Sequence, residues 1–147
     1  RTLCSIFQKN STNSSPKILP EPFQEISAEE PIARFLFSSS NFNKQKVKYG
    51  AFMPAPNGDA SVIRIFQLEE KEIQLIDTTV VSKTRKDVSK GRAEFIAMDA
   101  FELDLKIEPD TKTHPRHANL TNYSSEKSKT RSQAQQLAER SKLILRS

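Results

Sequence analysis

The apolar residues of this chain switch from a strand-like to a helix-like spacing and back, and this order limits the folds the chain can adopt. Over residues 31–66 they come in short runs rich in β-branched and aromatic side chains, which is the pattern of strands. Over residues 69–85 they recur every three to four positions, with acidic side chains at the start and basic ones at the end, as suits a helix dipole. After Gly91 the strand-like pattern returns. Strands on both sides of a helix predict an α+β domain.

The predicted elements can be placed along the chain. A polar stretch over residues 124–145 has a narrow apolar stripe and predicts a terminal helix that packs on one side only. Leu103, Leu105 and Ile107 alternate with polar residues, which indicates a strand with one buried face. We therefore predict a mostly antiparallel sheet of about five strands, with two helices packed on one face. The strand-like runs are residues 32–37, 47–53, 60–66, 92–98 and 103–107.

Length and composition predict one domain with a flank. The chain has 147 residues, enough for one core and not for two. Only 35% of the residues are hydrophobic and 28% are charged, which favours a compact domain with an unstructured segment. Residues 1–30 lack an apolar period and contain three prolines, so we predict a disordered or extended arm there. The domain is predicted to span residues 31–147.

The charge of the chain suggests a class of partner. A net charge of +5 and a pI near 9.4 favour nucleic acid or an acidic protein. The alternative is that basic residues on a helix simply form a solvated face. The predicted partner surface consists of Lys44, Lys46 and Lys48 in a loop and strand edge, and of Lys127, Lys129 and Arg131 on the terminal helix.

Several other features bear on compartment and cofactor. Cys4 is the single cysteine and has no partner for a disulfide within the chain, which favours a reducing compartment. No apolar run is long enough to span a membrane and there is no secretory signal pattern, so we expect a cytoplasmic protein. The chain contains no nucleotide loop, zinc ligand set or nucleophile elbow, and no cofactor is predicted.

Both histidines of the protein lie in one polar stretch, residues 113–120. Polar loops between structured elements commonly carry binding groups. Arg116 can clamp an anion, Asn119 can donate and accept, and His117 or His114 can carry a proton. The alternative is an ordinary connection stiffened by Pro115, in which His and Asn cap backbone groups.

The spacing of the two histidines raises the question of whether they bind a metal ion. His114 and His117 are three residues apart, but a zinc site needs at least one further ligand. The nearby acids are Asp104, Glu108 and Asp110. Since a proline separates the histidines and no cysteine is close, no metal site is predicted.

Three arginines lie on predicted strands, namely Arg34, Arg64 and Arg92. A strand arginine that is buried without a partner is costly, so each must either pair with an acid or line an anion site. Convergence of these arginines with Arg116 and His117 would indicate a small enzyme acting on a phosphate-bearing ligand. Otherwise the chain is expected to be a small binding or accessory protein, and the sequence leaves open whether it is an enzyme.

Short motifs extend from the first strand to the histidine stretch, at residues 33–35, 51–54, 61–65, 91–93 and 115–120, the last reading Pro-Arg-His-Ala-Asn-Leu. They resemble a family of small uncharacterised bacterial proteins associated with mobile genetic elements. Relatives tend to continue with a Gly-Trp-Pro-like turn, whereas this chain has Thr121, Asn122 and Tyr123. The family has no assigned activity, so the resemblance implies a bacterial, mobile-element setting and no particular reaction.

Overall fold

A computed structural model describes residues 25–146 and contains one antiparallel sheet of six strands. The strand order is β4-β5-β2-β1-β3-β6, so the first two strands of the chain lie at the centre. The predicted α+β class with a mostly antiparallel sheet is confirmed, with six strands in place of about five. The strands are β1 (Pro31–Leu36), β2 (Ala60–Arg64), β3 (Gly91–Ile96), β4 (Lys106–Pro109), β5 (His117–Thr121) and β6 (Lys142–Leu145).

The predicted helix over residues 69–85 is present as one continuous rod with a wider turn in its middle. It consists of α1 (Glu70–Ile76), a π-helical turn (Asp77–Val81) and α2 (Ser82–Arg85), which we call the rod. Glu69 begins it, and the backbone N–H of Glu69 donates to the Glu72 carboxylate at 2.8 Å. Lys86 ends it in the left-handed conformation, with φ of 58°. The other helices are α3 (Ala97–Phe101), α4 (Lys127–Arg140) and a short 3-10 helix (Tyr49–Phe52).

Helices lie on both faces of the sheet, where the sequence predicted them on one. Alternate residues of β1 point in opposite directions, and both sets contain buried apolar side chains. Ile32 and Leu36 belong to the larger core, to which α3, α4 and the 3-10 helix contribute. Ala33 and Phe35 belong to a smaller core under α1. A central strand that is apolar on both sides needs cover on both sides.

The segment over residues 47–53 was predicted to be a strand and is instead a single bridge followed by the 3-10 helix. Backbone crowding explains the difference. A Cβ atom on Gly50 would lie 2.3 Å from the carbonyl oxygen of Ser40, so the turn before this segment packs directly on the glycine. Ala51 and Phe52 are buried in the larger core. The segment therefore serves as a cover for the sheet and not as a part of it.

The polar stretch that contains the histidines was interpreted as a loop, and its second half is a strand. β5 lies between β2 and β4, and Ala118 and Leu120 of β5 are fully buried. The alternation of buried and half-exposed residues over β5 is the regular pattern of a strand. The strand pattern of β5 was not recognised in the sequence, because many polar residues surround Pro115.

The terminal helix was predicted over residues 124–145 and ends at Arg140. Ser141 adopts an extended conformation, and the last apolar residues form β6 along the edge of β3. The contact is close, because a Cβ atom on Gly91 would lie 2.7 Å from the carbonyl oxygen of Ile144. The free edge of β3 decides this outcome, since it offers backbone hydrogen bonds that a helix would not use.

The predicted arm lies mostly outside the described residues. The part that is described, from Glu25, contacts the domain: Ile26 packs against the larger core. Glu30 is buried, and its carbonyl oxygen accepts a hydrogen bond from the N–H of Ala97 at 2.9 Å. For residues 1–24, which lie outside the described residues, the disordered or extended arm stays a prediction.

Candidate ligand cleft

One face of the sheet is only half covered. The rod packs over β1 and β3, where its Ile73 and Ile76 meet Phe35 in the smaller core. Among residues 25–146 no helix lies above the same face of β2 and β5, and Ser61, in the interior of the sheet, is exposed. The result is a depression of about 420 Å³ beside the rod, which we call the sheet cleft. This volume is within the range of sites that hold small ligands.

The floor of the sheet cleft is made by cross-strand pairs. In the antiparallel ladder between β2 and β5, Ser61 lies opposite Asn119 and Ile63 lies opposite His117. Side chains two residues apart on a strand share a face, so His117 and Asn119 point the same way. Both line the cleft and are partly exposed. The regular geometry of the sheet therefore presents two polar side chains of the predicted site together.

The two walls differ in chemistry. The rod contributes Val80, Val81 and Arg85, and the guanidinium of Arg85 lies over the ring of Phe37 at 4.4 Å from its centroid. On the other side, loops contribute polar residues of both charges. These are Asn57 and Asp59 before β2, and Asp110, Lys112 and Thr113 before β5.

Asp110 holds both polar residues of the floor. Its backbone carbonyl oxygen lies 2.8 Å from Nδ1 of His117, and its carboxylate oxygen Oδ2 lies 3.3 Å from Nδ2 of Asn119. The pKa of Asp110 is lowered, first by the hydrogen bond from the backbone N–H of Lys112, then by the Asn119 amide and the charges of His117 and Lys112. Asp110 is thus an ionised acceptor at neutral pH.

Arg116 and His114, two of the predicted site residues, do not line the sheet cleft. The side chain of Arg116 points to the face of the sheet opposite to that of His117 and is fully buried. Its Nη1 donates to the carbonyl oxygens of Arg64 at 3.2 Å and Phe66 at 2.6 Å. Nδ1 of His114 accepts the backbone N–H of Arg116 at 3.0 Å, and burial lowers the pKa of His114. The strand period therefore separates Arg116 from His117, and the two cannot form one anion site.

Two of the strand arginines form ion pairs inside the domain. Arg64 holds Glu30 with two hydrogen bonds, at 2.5 and 2.9 Å. Arg92 binds Glu70 of the rod at 2.6 and 2.8 Å and Glu94 at 2.7 Å. The hydrogen bond from Arg92 lowers the pKa of Glu70 to about 2. These arginines fix the start of the domain and the rod in place.

Arg34 is the strand arginine that reaches the sheet cleft, at its edge. Its Nε donates to the carbonyl oxygen of Ala51 at 2.9 Å and its Nη1 to that of Ser61 at 2.8 Å. Burial lowers its pKa. Arg34 therefore ties residues 47–53 to β2.

The two predicted basic clusters lie side by side. Arg131 on α4 stacks on Tyr49, 4.4 Å from the ring centroid, and its Nη2 donates to the Tyr49 hydroxyl at 2.6 Å. Lys127 is one helical turn before Arg131, and residues 31–58 contain no Asp or Glu. Lys129 pairs with Glu126 at 3.1 Å. We call the exposed or half-exposed set Lys44, Lys46, Lys48, Lys127 and Arg131 the basic face.

Four residues of the cleft were not predicted in their roles from the sequence. Ser61, Asp59 and Arg85 line the cleft, and Asp110 orients the side chains of its floor. One signal was available. Ser61 is a polar residue in a run of Val62, Ile63 and Ile65, which marks a gap in an otherwise apolar face. The loop acids carried no such signal, because their position depends on which strands are neighbours.

Within residues 25–146, no group of three His, Cys, Asp or Glu side chains could hold a metal ion. In that same part of the chain, none of the helices is long and apolar enough to cross a membrane. Comparison of the chain with protein-family models, curated proteins and solved structures found no match. The resemblance to a bacterial family stays a prediction.

Proposed function

We propose that this protein binds a small organic ligand in the sheet cleft. The observation that carries the proposal is the open face of β2 and β5, where Ser61, His117 and Asn119 stand partly exposed beside a fully formed core. Helices cover the neighbouring strands of the same sheet. A concave, largely apolar site with a few convergent polar groups is the usual form of a ligand site.

The lining of the cleft favours a ligand with two chemically different ends. Phe35, Phe37, Val80 and Val81 offer apolar surface next to the rod. His117 and Asn119 offer hydrogen-bonding groups at the loop side. An amphipathic ligand with an apolar body and a polar head matches this division.

Binding is favoured over the alternative of an enzyme acting on a phosphate-bearing ligand. That alternative needed Arg116 beside His117, and the side chain of Arg116 is buried on the other face of β5. Of these two residues only His117 lines the cleft, where its Nδ1 lies against the carbonyl oxygen of Asp110. The predicted pairing of a proton carrier with Arg116 as the anion clamp is therefore not formed.

The cleft can be tested by filling it. Ser61→Phe places a ring on the floor at an exposed position, so we expect the melting temperature to change little and ligand binding to fall at least tenfold. Fragments from a mixed library would be detected by ¹H–¹⁵N NMR of the ¹⁵N-labelled full chain, through shifts at Ser61, His117 and Asn119.

Ser128→Phe is the matched control, because Ser128 is an exposed serine on α4 and does not line the cleft. Fragments should bind this variant as they bind the parent. Fragment shifts that are scattered over the surface, or that survive Ser61→Phe, would contradict the proposed function.

A second candidate function is binding of nucleic acid by the basic face. The stacking of Arg131 on Tyr49 supports it, because this contact joins the two lysine clusters into one surface. The guanidinium covers the Tyr49 ring, so contacts to phosphates are favoured over base stacking. Binding of this kind is insensitive to sequence and strongly dependent on salt.

Reversal of charge at Lys127 and Arg131 of the basic face, together with Lys129 between them on α4, tests the second candidate. The triple change to Glu should weaken binding of a fluorescent single strand and a duplex by tenfold or more, and unrelated sequences should lose affinity equally, because the lost contacts are to phosphate. The measurement is fluorescence anisotropy over a salt series. The same reversal at Lys83, Lys86 and Lys90, which lie outside the basic face, is the control. Equal losses in both triple variants, or no binding at low salt, would remove nucleic acid as a partner.

A further inference from the structure

We infer that Asp110 makes the sheet cleft selective for ligands whose inserted head group donates hydrogen bonds, such as an amine, an amidine or an amino-substituted heterocycle. This inference rests on the proposed function of the cleft. It adds the chemical class of the ligand and names the residue that determines that class.

The hydrogen bond between His117 and Asp110 determines which ring nitrogen of His117 carries a proton. Its Nδ1 lies 2.8 Å from the backbone carbonyl oxygen of Asp110, and a carbonyl oxygen can only accept a hydrogen bond. Nδ1 must therefore carry the proton. In the neutral ring the other nitrogen, Nε2, then has the lone pair and is an acceptor.

The carboxylate of Asp110 likewise determines the orientation of the Asn119 amide. An ionised carboxylate can only accept, so the Asn119 group 3.3 Å from Oδ2 of Asp110 is the amide nitrogen. The amide oxygen is then turned away from Asp110. One loop residue thus orients two floor side chains so that each presents an acceptor.

The charges of the loop wall also favour a head group that donates hydrogen bonds. The carboxylates of Asp110 and Asp59 both line the cleft on this side. Lys112, also on this wall, is exposed. Arg85 lies on the rod side, with its guanidinium on the Phe37 ring. A cationic or neutral nitrogen donor at the loop side meets the two carboxylates and the acceptors of the floor, whereas a carboxylate or phosphate head faces the same two carboxylates and is repelled by them.

The orientation of His117 can be measured without any ligand. In ¹⁵N NMR of the full chain at about pH 8, Nδ1 of His117 should give the signal of a protonated ring nitrogen and Nε2 that of a bare one. Asp110→Asn should keep this pattern, since the bond uses the backbone carbonyl. The opposite tautomer would overturn the inference, because Nε2 would then be a donor.

Selectivity is tested with two probes that share a ring and differ in the head group. Benzamidine donates and benzoate accepts, and the two are similar in size. By NMR titration at about pH 8, we expect benzamidine to bind at least tenfold more tightly than benzoate, with shifts centred on His117 and Asn119. Asp110→Asn should reduce the ratio of the two affinities, benzamidine over benzoate, at least fivefold. The Asn119 amide can then rotate, and the negative charge of residue 110 is lost.

Asp104→Asn is the control for Asp110→Asn. Asp104 is exposed, does not line the cleft and has φ of 66°, a conformation that Asn tolerates. This variant should keep the selectivity of the parent.

Equal or tighter binding of benzoate in the cleft would overturn the inference and leave the cleft a ligand site. An unchanged ratio in Asp110→Asn would remove the role of Asp110. Binding of neither probe in the cleft would overturn the proposed function together with the inference.

Discussion

Replacing Glu30 with Ala is expected to lower the free energy of unfolding by about 3–5 kcal/mol, which is a large part of the stability of a domain of this size. Glu30 and Arg64 are 7% and 1% exposed, and two hydrogen bonds join them. Loss of the carboxylate removes two hydrogen bonds and a negative charge from a buried guanidinium. The effect is read from urea denaturation of the variant beside the parent.

Glu29→Ala serves as the control, because the neighbouring side chain is exposed. Its effect should be within about 0.5 kcal/mol. Replacing both members of the pair, with Glu30→Leu and Arg64→Met, should recover part of the loss, since a buried ion pair can often be exchanged for apolar groups. A change below about 1 kcal/mol in Glu30→Ala would show that residue 30 is not an integral part of the core.

Replacing Arg116 with Ala is expected to cost about 3 kcal/mol or more. The side chain is fully buried, donates to the carbonyl oxygens of Arg64 and Phe66, and lies over the Phe66 ring at 5.0 Å. The variant removes the donor from two buried acceptors, at about 1–3 kcal/mol each, and leaves a void. Thermal melts and urea denaturation measure the loss.

His117→Ala is the informative comparison, because His117 is the next residue and is half exposed. We expect this change to cost about 0.5 kcal/mol to 1 kcal/mol, with the fold intact and binding in the cleft reduced. Similar and small losses in both variants would place Arg116 outside the core. Similar and large losses would make His117 a structural residue and count against the cleft.

Much of the fold could be predicted from the sequence, because strand and helix periods are local properties. The rod over residues 69–85 and the strands around Ile32, Val62 and Ala93 follow from spacing and side-chain type alone. Residues 47–53 and 142–145 could not be assigned in this way. The first has a strand-like composition but is shaped by the close approach of Ser40 to Gly50. The second follows a helix directly and becomes a strand because β3 has a free edge there.

The candidate site was predictable only in part, because it depends on which strands are neighbours. His117 and Asn119 were identified by residue type, and their shared face became visible once β5 was known to be a strand. Arg116 was grouped with them because it is adjacent in sequence, although adjacent strand residues point to opposite faces. Ser61 and Arg85 come to the same cleft from distant parts of the chain, and no spacing rule joins them.

The π-helical turn of the rod determines in which direction the side chains after it in the rod point. A π turn accommodates one residue more than an α turn, and each residue advances an α-helix by about 100° and about 1.5 Å. Without the extra residue in Asp77–Val81, the end of the rod would be rotated by about a quarter of a turn relative to α1. Ile73 and Ile76 would keep their place on the smaller core, while Val81 and Arg85 would turn away from the sheet cleft. A single inserted residue therefore allows one helix to serve two surfaces, the closed core at its beginning and the open cleft at its end.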